Sequence, residues 1–225
     1  MLTGVIFDFD GIIVDTEPLH YRAFQEILVP LGLGYTWDVY LRSYLGFDDR
    51  DAFREAFRSA GRSLKERDLQ VLVEEKGAAF QRIVAAGLEV YPGVVELIRS
   101  TAGSLPLALC SGALPSDIDP ILNRLGITGL FDVIVTAADV RASKPDPESY
   151  VLAVARLKTA YPDRKITPGM CLAIEDTPAG ITSARIAGLK VLAVTNSYPE
   201  EELTSADRII ASLTNVNLQT LQSLF

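Results

Sequence analysis

Only two cysteines, Cys110 and Cys171, occur in the 225 residues, with one histidine and one tryptophan. Both cysteines stand inside apolar runs and form no CxxC pair, so buried reduced thiols are the reading favoured over a disulfide or a metal role. No run of Lys and Arg exceeds two residues, and 21 basic against 29 acidic residues leave a net charge of −8. The basic footprint of a nucleic-acid binder is therefore missing, and DNA and RNA are not expected as partners. No segment reaches the roughly 18 unbroken apolar residues of a membrane span. The first seven residues carry no positive region, and Asp8, Asp10 and Asp15 interrupt any leader-like apolar stretch. A soluble cytoplasmic protein with no membrane partner is expected.

What is present is the composition of a globular chain: 48% hydrophobic and 22% charged residues, with 16 glycines and 12 prolines. The length suits one large domain or one domain carrying a sizeable insertion. Apolar runs at 4–9, 105–110, 133–135, 170–174 and 191–194 predict buried strands. Segments of helical periodicity at 94–101, 117–125, 147–158 and 178–187 alternate with them, several opened by Pro or Gly and closed by Gly103, Gly126 or Gly188. A short strand at 209–211 and a closing amphipathic helix at 216–225 complete the pattern. Such alternation predicts an α/β fold, a doubly wound parallel sheet covered on both faces.

Residues 16–88 break the rhythm. They hold no convincing strand, and their apolar side chains recur at three- and four-residue spacing: Tyr21, Phe24, Leu28 and Leu31; Phe53, Phe57 and Ala60; Leu69, Leu72, Val73, Phe80 and Val84. The expected organisation is a core made of 1–15 and 89–225, with 16–88 as an inserted all-helical domain.

The polar residues that could carry chemistry follow the strands. Strand alternation puts Asp8 and Asp10 on one side of Val5-Ile6-Phe7-Asp8-Phe9-Asp10-Gly11, beyond a strand end, where open α/β sheets bind ligands. Ser111-Gly112 follows the second strand and offers a hydroxyl and backbone N–H groups for phosphate oxygens. Lys144 precedes a proline-initiated helix, and Glu175-Asp176 follows a buried strand with adjacent carboxylates that suit a hard divalent cation. Taken singly, each has a plainer reading: an acidic loop, a turn, a solvated lysine, and an N-cap at Asp176 for the helix near Pro178.

Together, Asp8-Phe9-Asp10-Gly11 with Asp15, Ser111, Lys144 and Glu175-Asp176 resemble the four motifs of the haloacid dehalogenase (HAD) superfamily over the whole chain. The helical insertion after the first motif, and Ile174-Glu175-Asp176-Thr177-Pro178-Ala179-Gly180, resemble its β-phosphoglucomutase and phosphoglycolate phosphatase branch. The resemblance implies a HAD-like Rossmannoid core with a helical cap. It also implies a phosphatase acting on a small-molecule phosphate ester, such as a sugar phosphate or phosphoglycolate, with a phosphosugar mutase as the alternative. Asp8 would be the nucleophile that forms an aspartyl-phosphate, and Asp10 the acid and then the base. Ser111, Gly112 and Lys144 would bind the transferring phosphoryl group. Mg²⁺ would be held by Asp8, the Asp10 carbonyl, Asp176 and, directly or through water, Glu175. Hinges are implied near 14–17 and 88–92.

In the insertion, Lys76 resembles a cap lysine that contacts substrate, and His20 joins it as a substrate-binding candidate. Their plainer readings are a solvated helix lysine and a hinge-proximal helix residue without chemistry. Gly46-Phe47-Asp48-Asp49-Arg50 resembles the cap loop that reads the leaving group. Mutases of this branch carry arginine three residues after that glycine, where this chain has Asp49, with Arg50 next.

Overall fold

The computed structural model describes residues 1–44, 47 and 49–225 and divides into two compact units, Met1–Asp15 with Glu89–Phe225, and Thr16–Leu88. The first is built on β1 (Gly4–Asp8), β2 (Leu107–Cys110), β3 (Val133–Val135), β4 (Cys171–Glu175), β5 (Lys190–Val194) and β6 (Arg208–Ile210). These form one parallel sheet in the order β3-β2-β1-β4-β5-β6. Each strand end differs from the sequence expectation by no more than two residues, the scatter usual at element ends.

Alternate residues of the strands face opposite layers, and both layers are buried. Ile6, Ala108, Cys110, Val135, Ala173 and Val191 share one apolar cluster with Tyr150, Ala153, Leu157, Ile181 and Ala184. Those partners lie on α7 (Glu148–Ala160) and α8 (Pro178–Ile186) of the same unit. Val5, Phe7, Leu109, Leu172 and Ile174 point the other way and are equally buried. A fully buried side chain of this size contributes on the order of 2 kcal/mol relative to exposure. That is why these strands read as continuous apolar runs rather than as alternating ones.

Strand order also fixes the site. Both neighbours of β1 run parallel to it: Phe7 pairs with Leu109 on one side and Ile174 on the other. Asp8, Cys110 and Glu175 are therefore level at three adjacent carboxyl ends. The chain crosses to β2 on one side of β1 and later to β4 on the other, and a sheet of this kind opens a crevice at that switch point.

The second unit contains α1 (Glu17–Leu28), α2 (Trp37–Ser43), α3 (Asp49–Ser59) and α4 (Glu66–Ala86). Its core joins Phe24 and Leu28 of α1, Tyr40 of α2, Phe53 and Phe57 of α3 and Leu69 of α4. Two sequence expectations shift here. Leu31 lies outside α1 and is exposed, because the helix ends at Leu28 before Pro30, whose missing N–H and ring disfavour continuation. Helix α2 was not anticipated: at seven residues it is too short to repeat a periodic pattern. No described helix is long and apolar enough to cross a membrane.

Candidate active site

Asp8, the last residue of β1, is buried, and Lys144 donates to its Oδ1 at 2.6 Å. The same ammonium donates to Glu175 Oε1, also at 2.6 Å, and lies 5.0 Å from the centre of the Tyr150 ring. Lys144 is thus an internal countercharge rather than a solvated loop lysine. Burial alone would discharge it, but Asp8 and Glu175 overcome that and hold its pKa above the usual lysine range.

Glu175 is saturated with donors. Oε1 receives Lys144 and the Tyr150 hydroxyl, the latter at 2.7 Å. Oε2 receives the Asp176 N–H at 3.1 Å and the Thr177 hydroxyl at 3.2 Å. The backbone passes so close that a Cβ on Gly180 would overlap this carboxylate, which is why a glycine opens that turn of α8.

Asp176 is held differently. Thr177, not Asp176, caps α8: its side chain accepts the Gly180 N–H at 3.0 Å. The N-cap reading of Asp176 is thereby removed. Its Oδ2 accepts the Ser197 hydroxyl, while Oδ1 is buried without a hydrogen-bond partner. Burial pushes the Asp176 carboxyl up to about 7, with Ser197 opposing and Glu175 and Asp10 adding to the rise. Asp8 is raised as well, first by burial and then by Glu175 and Asp176, against the pull of Lys144. Among the described residues, one carboxylate oxygen each from Asp8, Glu175 and Asp176 fall within 4.8 Å of one another. Three hard oxygen donors, two of them electrostatically frustrated and one with an orphaned oxygen, fit a small divalent cation.

Asp10 sits outside the strand, so the alternation assumed from sequence stops at Asp8. Its neighbour Gly11 has φ +81°, and a Cβ there would overlap the Asp176 carboxylate. Ser111 is buried, its N–H bound to Val135 O at 2.9 Å and its Oγ accepting the Ala113 N–H at 2.9 Å. Gly112 follows it in the turn between β2 and α6 (Pro115–Leu125).

The sequence profile of the haloacid dehalogenase-like hydrolases matches residues 5–194. The chain belongs to this family. Among relatives, this hydrolase is 30% identical over 191 residues to the fructose-1-phosphate phosphatase YqaB of Escherichia coli (strain K12), covering 85% of this chain and 95% of that one. It is 30% identical over 218 residues to a validoxylamine A 7'-phosphate phosphatase of Streptomyces hygroscopicus subsp. limoneus, covering 96% of each. Its fold resembles the crystal structure of a β-phosphoglucomutase from Clostridium difficile with a TM-score of 0.79 and 24% identity, over 100% of this chain and 97% of that one. The family and its phosphatase relatives make this hydrolase one that acts on phosphoric monoesters.

Within the inserted unit of the hydrolase, His20 and Lys76 are brought together. The side chain of Lys76 is fully buried, donates to Asp49 Oδ1 at 2.6 Å and to His20 Nδ1 at 2.8 Å, and lies over the rings of Phe24 and Phe80. The solvated-lysine reading is corrected: Lys76 falls on the buried face of α4 between Leu69 and Phe80. An ammonium has no lone pair, so Nδ1 accepts and the imidazole proton resides on Nε2. Arg50 is directed to Glu66 and, at 3.0 Å, to Gln70. Gly46 and Asp48 of the leaving-group loop lie outside the described residues.

Sequence reasoning did not single out Tyr150, Asn196 or Ser197. Tyr150 looks like any apolar residue of α7. Asn196 and Ser197 had one available signal, their place immediately after a buried strand, like the other site residues.

Proposed function

We propose that the protein is a Mg²⁺-dependent phosphatase of a small phosphorylated sugar or related metabolite, working through an aspartyl-phosphate on Asp8. The observation that carries this reading is the placing of Asp8 at the end of β1, level with Cys110 and Glu175, with Lys144 at 2.6 Å. A buried carboxylate beside a fixed ammonium, at the crevice of a parallel sheet, is suited to attack a phosphoryl group that the same ammonium neutralises.

In this reading an oxygen of Asp8 attacks phosphorus as the bond to the leaving oxygen breaks, and Asp10 gives that oxygen its proton. Asp10 then takes a proton from the water that attacks the phosphoaspartate, which releases phosphate and restores the Asp8 carboxylate. Ser111, the Gly112 N–H and Lys144 hold the phosphoryl oxygens throughout. Asp8, Asp176 and the Asp10 carbonyl would hold Mg²⁺, with Glu175 acting through water because its oxygens are already occupied. The cation would supply positive charge to offset the carboxylates and the phosphate dianion. The inserted helical unit would serve as the lid that excludes water and selects substrate, turning about 14–17 and 88–92.

The mutase alternative needs a cation in the lid to grip a second phosphate. Lys76 is instead paired with Asp49, and Arg50 with Glu66. Hydrolysis is therefore favoured. The test is incubation with Mg²⁺ and a panel of sugar phosphates and phosphoglycolate, together with β-glucose 1-phosphate plus a trace of its 1,6-bisphosphate. Phosphate release without a bisphosphate activator is expected. Rapid formation of glucose 6-phosphate with little phosphate release would promote the mutase.

A further inference from the structure

We propose that Asn196 and Ser197, the dipeptide in the turn after β5, are positioning residues that hold the candidate cation site open from the side, one side chain for each of the two loops that form it. The inference rests on the reading of Asp8, Asp176 and the Asp10 carbonyl as a cation site. It assigns to this chain two residues that no motif of that site contains.

Each contact is specific. The Asn196 side-chain amide donates to the Gly11 carbonyl at 2.6 Å, across 185 positions of sequence. That carbonyl belongs to the Gly11–Ile12 peptide, one peptide beyond the Asp10 carbonyl, in a turn already tightened by the Gly11 N–H to Val14 O bond of 2.9 Å. The Ser197 hydroxyl donates to Asp176 Oδ2. Gly11 and Asp176 themselves touch, since a Cβ on Gly11 would enter the Asp176 carboxylate. Two neighbouring side chains therefore fix two loops from different strands that pack on each other.

The dipeptide is anchored well enough to do this. Glu175 pairs with Ala193 in the sheet, and the ladder continues one step past β5 through the Thr195 N–H to Ile210 O bond of 3.0 Å. Asn196 and Ser197 start from that fixed point.

The consequence lies in which oxygen remains. Asp176 is fully buried, and a buried carboxylate oxygen without a donor is costly. With Oδ2 committed to Ser197, the orphaned Oδ1 is left to a ligand of the opposite charge. A hydroxyl on the outer oxygen sets the plane of the carboxylate, as outer partners do for metal ligands generally, where their loss typically lowers affinity about 10- to 100-fold.

The experiment is Mg²⁺ binding to the full-length protein by titration calorimetry, with thermal unfolding in EDTA beside it, for the wild type, Ser197→Ala, Ser197→Thr, Asn196→Ala and Asp176→Ala. We expect Ser197→Ala to weaken Mg²⁺ about tenfold and, because Asp176 Oδ2 loses its donor, to unfold at a lower temperature in EDTA, and Ser197→Thr to restore both. Asn196→Ala should weaken Mg²⁺ by a similar factor, and Asp176→Ala should remove binding. A wild type that binds Mg²⁺ while both alanine variants bind within twofold of it would overturn the positioning role and leave the cation site standing. A wild type without Mg²⁺ binding would overturn the site and this role together.

Discussion

The Tyr150 hydroxyl donates to the same Glu175 oxygen that receives Lys144, at 2.7 and 2.6 Å. Glu175 therefore joins two roles, anchoring the lysine and organising the turn into α8. Changing Glu175 to Gln should leave Lys144 with Asp8 as its one full countercharge and lower turnover by about 100-fold or more. Tyr150→Phe removes a single hydrogen bond and should cost about 1 kcal/mol of stability, read by urea denaturation, with turnover within about tenfold of wild type. A larger catalytic loss in Tyr150→Phe than in Glu175→Gln would contradict this ordering.

Asp8→Asn should abolish turnover while preserving the fold, because the amide nearly matches the carboxylate in shape but cannot attack phosphorus. Circular dichroism and steady-state assay on one preparation check both halves. Asp10→Ala should be almost inactive as well, with a deeper loss for alkyl than for aryl phosphates, since poor leaving groups depend on the proton. Equal losses would argue against Asp10 as the acid.

His20 supplies a stability signature in pH. Burial first, and then the neighbouring Lys76 charge, lower its pKa from 6.5 to about 3. The unfolded chain thus takes up the proton at a higher pH than the folded one. The stability linked to neutral His20 is present above pH 6.5 and is lost as pH falls towards 3. Between pH 7 and pH 5 the loss amounts to about 2 kcal/mol. His20→Gln keeps an acceptor for Lys76 and should remove that share of the pH dependence. Parallel stability curves for the two proteins over this interval would refute the assignment.

Metal dependence is the expectation from the carboxylates of Asp8, Glu175 and Asp176, gathered within 4.8 Å of one another, with Asp176 Oδ1 orphaned. EDTA should silence the enzyme and Mg²⁺ should restore it. Ca²⁺ should inhibit, because its longer bonds and higher coordination number misplace the nucleophile. Full activity in EDTA would remove the metal from the reaction.

The sequence by itself determined the alternation of strands and helices, the helical insertion and the polar residues at the strand ends. Each of these is written locally, as apolar runs, three- and four-residue periodicity, and acids or a serine directly after a run. Tertiary structure decided which of those groups meet. The bonds between Lys144 and Asp8, Lys76 and His20, and Asn196 and Gly11 cross 136, 56 and 185 positions of chain. No local pattern encodes such pairings: they arise from strand order and register, which set Asp8 level with Glu175, and from helix packing, which turns Lys76 inward. Lys76 had a partial signal in its place on the apolar stripe of α4, but its partners Asp49 and His20 lie on other helices. The saturation of Glu175 and the orphaned oxygen of Asp176 are likewise properties of a folded interior, where every donor has a fixed position and water is no longer available to fill the gap.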